Sequence, residues 1–287
     1  MEGIGFMAYE NFMVKPGKKI VLKKIDPGKT NGYSNRKIAE NDLPKYLRKL
    51  LDLQYFLFAD KKYAVLIILQ GIDAAGKDGV CRHVITAMNP QGTKVWSFDK
   101  PCEEELRHDY LWRVNQKLPD YGEIAVFNRS HYEDVLVVRV KNLVPKEVWK
   151  KRYAQINNFE RYLYENNIHI LKIFLHISKE EQEKRLLARL LEPQKNWKFN
   201  IDDLVERGNW NEYMNAYEDM LNKTSTLYAP WYIIPADIKW FRNITVARIM
   251  VDMLENLNLS WPSPSPDVVE YIEIAKKTGK LPSPIKK

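Results

Sequence analysis

The feature that most constrains this chain is the turn Gly71-Ile-Asp-Ala-Ala-Gly-Lys77. It stands directly behind the apolar run Tyr63-Ala-Val-Leu-Ile-Ile-Leu-Gln70 and ahead of a helical pattern. A run that is apolar without alternation reads as a parallel strand covered on both faces. G-x4-G-K between a strand and a helix is the P-loop pattern. Its glycines let backbone N–H groups converge, and the helix N-terminus adds positive potential. Lys77 supplies a cation for bridging phosphates. The plainer alternative is a glycine turn with a surface lysine, and the order strand, loop, helix argues against it.

The rest of the chain repeats that alternation. Further strands are expected at Thr93–Phe98, Glu123–Phe127, Ile168–Ile177 and Trp231–Ile234. Helices are expected from a cap at Asn41 or Asp42 through Phe56, and after Pro101 with Glu103, Glu104 and Glu105 in the first turn. Others are expected over Lys146–Glu165, after the capping box Ser178-Lys-Glu-Glu181, over Asp202–Asn222 and over Ile244–Leu257. Alternating strands and helices predict an α/β fold, a parallel sheet between helical layers. Right-handed crossovers then gather the strand C-termini on one edge, where ligands bind. The loops after Gln70, Phe127 and Ile177 should therefore be neighbours. We divide the chain into a basic, turn-rich N-terminal arm (1–41), a kinase-like domain (42–259) and a proline-rich tail (260–287) with a short helix after Pro266.

Composition removes several function classes. The chain has 287 residues, of which 45% are hydrophobic and 12% aromatic, so a largely disordered chain is excluded. The apolar stretch Ala64–Leu69 is far short of the roughly 20 residues a membrane helix needs. Residues Met1–Lys15 lack the apolar core of a secretory signal. Cys81 and Cys102 form neither a CxxC nor a Cys/His cluster, so reduced thiols, a cytoplasmic setting and no structural zinc are expected. The balance of 45 basic against 37 acidic groups, +8, points to a polyanionic partner: nucleic acid, anionic membrane or a phosphorylated substrate.

Two departures from the usual loop carry chemistry. Asp78 stands where Ser or Thr commonly follows the lysine, and Asp73 lies inside the loop. A carboxylate in a phosphate cradle repels its ligand unless a cation lies between them. Asp73 is thus the candidate magnesium ligand, the alternative being a local turn hydrogen bond. Asp78 suits the first turn of a helix. The strand Ile124–Phe127 ends at Asn128, where an acid often holds the metal, so Asn128 is expected to act through a metal-bound water. That shifts metal work onto Asp73, with Glu133 and Asp134 as further candidates. Arg129 is placed to grip a phosphate, a surface ion pair being the alternative. His131 reads as a packing residue. Arg185 and Arg189 share a helix face, with Lys195 and Lys198 following. They suggest a basic lid over about 182–205, closing on the transferred phosphoryl group; a solvated charged face is the alternative.

With these segments in place the chain resembles the polyphosphate kinase 2 family over roughly Lys37 to Leu257. The resemblance rests on Gly71–Gly79, Asn89-Pro-Gln-Gly92, Glu105-Leu-Arg-His-Asp-Tyr-Leu-Trp-Arg113, Phe127-Asn-Arg-Ser-His-Tyr-Glu-Asp134, Trp197-Lys-Phe199, and Thr224-Ser-Thr226 with Ala229-Pro-Trp231. It implies a thymidylate-kinase-like P-loop fold, a three-layer αβα sandwich on about five parallel strands with a helical lid. It implies reversible, Mg²⁺-dependent (Mn²⁺ as a substitute) phosphoryl transfer between inorganic polyphosphate and purine nucleotides, in a dimer or tetramer. Carried onto this chain, it implies catalytic roles for Asp73, Lys77, Asn128, Arg129, Arg185 and Arg189. Phosphate and nucleotide contacts fall at Gly71, Ala74, Ala75, Gly76, Lys77, Asp78, Gly79, Arg113, Tyr132, Glu133, Lys195 and Lys198. The Phe-Asn-Arg-Ser segment looks like the subgroup that accepts both nucleoside mono- and diphosphates. No nucleic-acid or membrane partner is expected.

Two other readings compete. An ATP-dependent nucleoside monophosphate kinase would use the same loop. A nucleic-acid-binding P-loop ATPase has only the basic charge in its favour, with no helix-turn-helix, RNP or zinc-finger signature.

Overall fold

A computed structural model describes residues 10–30, 33 and 35–283. In chain order the elements are α1 (Arg36–Asp60), β1 (Ala64–Gln70), α2 (Lys77–His83), β2 (Thr93–Ser97), α3 (Trp112–Asn115), β3 (Ile124–Asn128), α4 (Val137–Val140), α5 (Lys146–Glu165), β4 (Ile168–His176), α6 (Lys179–Leu191), α7 (Asp202–Gly208), α8 (Trp210–Thr224), β5 (Trp231–Pro235), α9 (Lys239–Glu255) and α10 (Pro266–Thr278).

The five strands form one sheet in the order β2-β3-β1-β4-β5, and every neighbouring pair is parallel. β1 lies at the centre and is buried along its whole length, as its unbroken apolar sequence requires. Helices α1, α2 and α9 pack together as one layer, and α5 and α8 as another. The fold is the expected α/β sandwich. The order reverses at β1: the chain leaves it for the edge strand β2, returns to β3 beside it, and then crosses over β1 to β4. The crevice at the C-terminal end of β1 is therefore the topological switch point, the binding edge of such sheets.

Several expectations change in detail. The first helix does not begin at Asn41 or Asp42. Asn35 caps it, its side chain accepting from the Ile38 N–H at 3.0 Å, and Pro44 lies inside the helix. The missing Pro44 N–H costs one helical bond; packing of α1 along α9 offsets it. The 41/42 boundary thus falls within α1. The arm is also less separate than composition suggests. Val14 N–H donates to the Trp231 carbonyl and Ile233 N–H to the Phe12 carbonyl, both at 2.8 Å, so the arm lines the β5 edge. Phe12, Val14, Leu22 and Tyr33 belong to the core. Residues Met1–Tyr9, Lys286 and Lys287 lie outside the described residues.

After Pro101 the acids do not propagate a helix. Only a single turn, Glu105–Arg107, forms before α3. The Glu105 carboxylate turns back to accept from the Cys102 N–H at 2.9 Å and from Arg113 at 3.1 Å. The helix expected over Asp202–Asn222 is two helices, α7 and α8, broken at Asn209. The break lets α7 turn its buried acids, Asp203 and Glu206, onto Arg189 and Lys141. The Ser178 cap is present, its hydroxyl accepting from the Glu181 N–H at 3.1 Å. The tail holds α10, none of whose side chains is buried, and Trp261 anchors it against Phe56 at 4.4 Å.

Candidate active site

The loop between β1 and α2 wraps on itself. Gly71 has φ 155°, and a methyl group there would lie 2.8 Å from the Leu175 carbonyl on β4. Gly76 caps α2 at φ 109°. Ala74 (φ 65°) and Arg129 (φ 66°) occupy the left-handed region without being glycine. Such strain persists where surrounding structure enforces it, and it gathers at functional sites.

Lys77 is buried beneath the loop. Its Nζ donates to the Gly71 carbonyl at 2.6 Å, filling the cradle with its own ammonium. Burial, and the Arg129 charge beside it, push its pKa below the ordinary lysine range. Asp73 meets Arg129 across the mouth of the cradle, Nη2 to Oδ1 at 2.7 Å. Burial works to raise the Asp73 pKa, but Lys77 and Arg129 outweigh it and hold the carboxyl below its usual range. The expected neighbourhood of the β1 and β3 loops is realised in this contact.

Glu133 forms the floor. With its amide oxygen turned to Ser130, Gln70 donates to Glu133 Oε1 at 3.1 Å. Burial raises the Glu133 pKa despite nearby Arg129 and Lys77. Asn128 Nδ2 donates to Asp78 Oδ1 at 2.8 Å, joining the end of β3 to the start of α2. Asp134 is tied to Arg152 at 2.7 Å.

Helix α6 also reaches the loop. Arg185 donates to the Ala74 and Ala75 carbonyls at 2.9 and 2.8 Å and to the Ala236 and Asp237 carbonyls at 2.5 and 3.0 Å, with Glu181 taking its Nε at 2.8 Å. In this state Arg185 is a brace between the loop and the end of β5. Arg189 lies farther out and pairs with Asp203 at 2.9 Å. Lys198 comes within 3.9 Å of Asp78, and Lys195 pairs with Glu192 at 2.5 Å.

Two residues stand apart from this group. Arg113 bonds the Asp99 carbonyl at 2.8 Å and lies over the Phe98 ring, near the end of β2. Tyr132, expected to contact ligand, is wholly buried. Its hydroxyl donates to Glu160 at 2.7 Å and accepts from Lys172 at 2.9 Å, so it belongs to a core ion-pair network that solvent does not reach. His131 is likewise buried beside Glu160, the packing role expected of it.

Sequence reasoning missed three residues. Gln182, fully buried, donates to the Asp73 carbonyl at 3.0 Å and accepts from Arg207. Asp203, buried on α7, lies close enough for Asp73 to raise its pKa after burial has done so. Arg242 lies against Gly76 and Gly79. Its one signal was Lys239 and Arg242 opening a helix with no acid in its first turn, against the helix dipole.

The donor set fits a magnesium ion. Mg²⁺ takes one or two carboxylates and completes its shell with water and substrate phosphate oxygens. Asp73 Oδ2 accepts no hydrogen bond among the described residues, so it is open to a cation. No group of three or more His, Cys, Asp or Glu forms a metal cage among the described residues. No helix among them is long and apolar enough to cross a membrane.

Comparison with known proteins agrees with this geometry. The family model for polyphosphate kinase 2 matches residues 33–261. The chain is 50% identical over 256 residues to an AMP/ADP-polyphosphate phosphotransferase of Meiothermus ruber, covering 89% of this chain and 96% of that one. It is 45% identical over 273 residues to an ADP-polyphosphate phosphotransferase of Rhodopseudomonas palustris, covering 90% and 93%. The crystal structure of polyphosphate kinase 2 from Arthrobacter aurescens superposes with a TM-score of 0.88 at 40% identity, covering 94% of this chain and 96% of that one. With the cradle, the Asp73–Arg129 contact and these matches together, the chain belongs to the polyphosphate kinase 2 family.

Proposed function

We propose that this protein moves a terminal phosphoryl group between inorganic polyphosphate and a purine nucleotide, in either direction, and accepts both AMP and ADP. The observation that carries the reading is the junction of Asp73 with Arg129 beside the buried Lys77. It places one carboxylate and two cations at the switch point of the sheet, in a family whose relatives are named for this transfer.

The chain's own residues divide the work. Phosphoryl transfer needs position and charge neutralisation more than a strong base. Lys77 leaves the Gly71 carbonyl to meet a bridging phosphate oxygen. The loop N–H groups and the α2 N-terminus hold the equatorial oxygens. Arg129, freed from Asp73, takes a phosphate through its planar fork. Asp73, and Asn128 through a water, would hold Mg²⁺, which would supply charge neutralisation on the phosphates. Arg189, Lys195 and Lys198 on the lid face the polyanion and exclude water as the lid closes. Arg185 holds the loop carbonyls so that its N–H groups converge.

The test supplies polyphosphate and Mg²⁺ with AMP or ADP separately, in the absence of ATP. Formation of ADP and of ATP, respectively, is expected. Phosphorylation of AMP only when ATP is supplied would replace this reading with an ATP-dependent nucleotide kinase.

A further inference from the structure

Arg242 lies in the first turn of α9 and is only 3% exposed. Its Nε and Nη2 donate to Asn243 Oδ1 at 3.1 and 2.8 Å, and no carboxylate among the described residues pairs with it. The guanidinium lies against the loop and the first turn of α2. A methyl group at Gly76 would fall 1.9 Å from Nη1, and one at Gly79 would fall 2.6 Å from Nη2. Its nearest charged neighbours are cations, although Glu181 is bonded to one of them, Arg185. Arg185 braces the same loop, and Lys239 precedes it by one turn. Arg242 also faces the positive ends of two helices, its own and α2. Burial and Arg185 together push its pKa down to about 10.

A buried cation among cations and helix N-termini is unfavourable by itself. At this place the protein supplies no compensating carboxylate, and the one anion the neighbouring loop is built to hold is phosphate. The two glycines give the second half of the argument. Gly79 is helical, where alanine would ordinarily be preferred. It is glycine because the Arg242 guanidinium fills the space of its side chain.

We propose that Arg242 is a positioning residue for the phosphate cradle: it fixes Gly76 and Gly79 from behind and leaves a buried positive charge whose counter-charge is the bound phosphate donor. This rests on polyphosphate being that donor. The ligand-free protein then carries an electrostatic penalty that polyphosphate relieves, so removal of the charge weakens donor binding without harming the fold.

The experiment compares the intact chain with Arg242→Met and Arg242→Lys. Thermal unfolding is followed across a polyphosphate titration, and KM for polyphosphate and kcat are measured with ADP in excess. Without ligand, Arg242→Met is expected to unfold no lower than the parent. Its half-saturating polyphosphate concentration and KM should rise by roughly tenfold, the loss of one partly screened charge contact, while kcat changes by less than about threefold. Arg242→Lys should recover part of the affinity. Unchanged half-saturation in both variants, at any melting temperature, overturns the assignment. If polyphosphate fails to stabilise the parent protein, the donor reading falls and this inference with it.

Discussion

Lys77→Met removes the ammonium and keeps the length of the side chain. In the ligand-free protein its effect on stability is small because two terms oppose. The variant loses the charge-assisted bond to the Gly71 carbonyl, a contribution of about 1.5–3 kcal/mol. It also removes a cation whose burial already disfavours the charged form. For a chain of this size 1 kcal/mol is about 2 °C in Tm, so a shift within about 4 °C is expected. The effect on turnover is large. An ammonium about 3.5 Å from a phosphoryl oxygen, at an effective dielectric near 20, interacts by roughly 5 kcal/mol. Part of that is already present in the ground state. The loss specific to the transition state should resemble that of other preorganised donors, about 2.7–4 kcal/mol, or 10²–10³ in kcat. The assay couples ADP and polyphosphate to ATP-dependent luminescence, with circular dichroism as the check on folding. A folded Lys77→Met protein that keeps more than about a tenth of kcat would refute the cradle as the site of transfer.

Lys172→Met breaks a wholly buried pair with Glu160, in which Nζ also serves Tyr132 and the Thr224 carbonyl. It should cost about 3–5 kcal/mol, or about 6–10 °C in Tm; addition of Glu160→Leu should recover most of it, and an equally unstable double variant would contradict the pairing. Asp73→Asn tests the sign of a titration. The Asp73 pKa is depressed, so its contribution is present above the unfolded value near 3.8 and is lost as pH falls through the folded one. Thermal unfolding should show the variant less stable than the parent at pH 7, with the difference closing toward pH 3. A constant gap would mean that the Lys77 and Arg129 charges do not act on it. Burial raises the Cys81 pKa to about 11, so at pH 8 only about one thiol in a thousand is thiolate. Mass spectrometry after iodoacetamide treatment should find the exposed Cys102 labelled first; equal rates would place Cys81 in a different environment.

The sequence determined the topology class and the cradle. An unbroken apolar strand, a glycine loop and a helix are local facts, and their physics is local: backbone sterics, burial of both strand faces and a helix dipole. The five strands, α5 and the Ser178 cap follow from the same short-range rules. So does the meeting of the β1 and β3 loops, once a parallel sheet is granted.

What the tertiary structure decided depends on which charges face one another, and sequence spacing does not carry that. Tyr132 and Glu133 are adjacent in a motif. The strand end turns one into the core ion pair with Lys172 and Glu160 and leaves the other on the floor of the cradle. Arg185 and Arg189, one turn apart on α6, go to different tasks because only the first lies beside the loop carbonyls and the end of β5. Asn35 rather than Asn41 or Asp42 caps α1, since packing on α9 carries the helix past Pro44. Arg242 is 163 residues from Gly79, yet its guanidinium lies in the space of that glycine's missing side chain. Local propensity fixes where a helix or strand runs. The energy of a buried charge depends on every element around it, and only the folded chain brings those elements together.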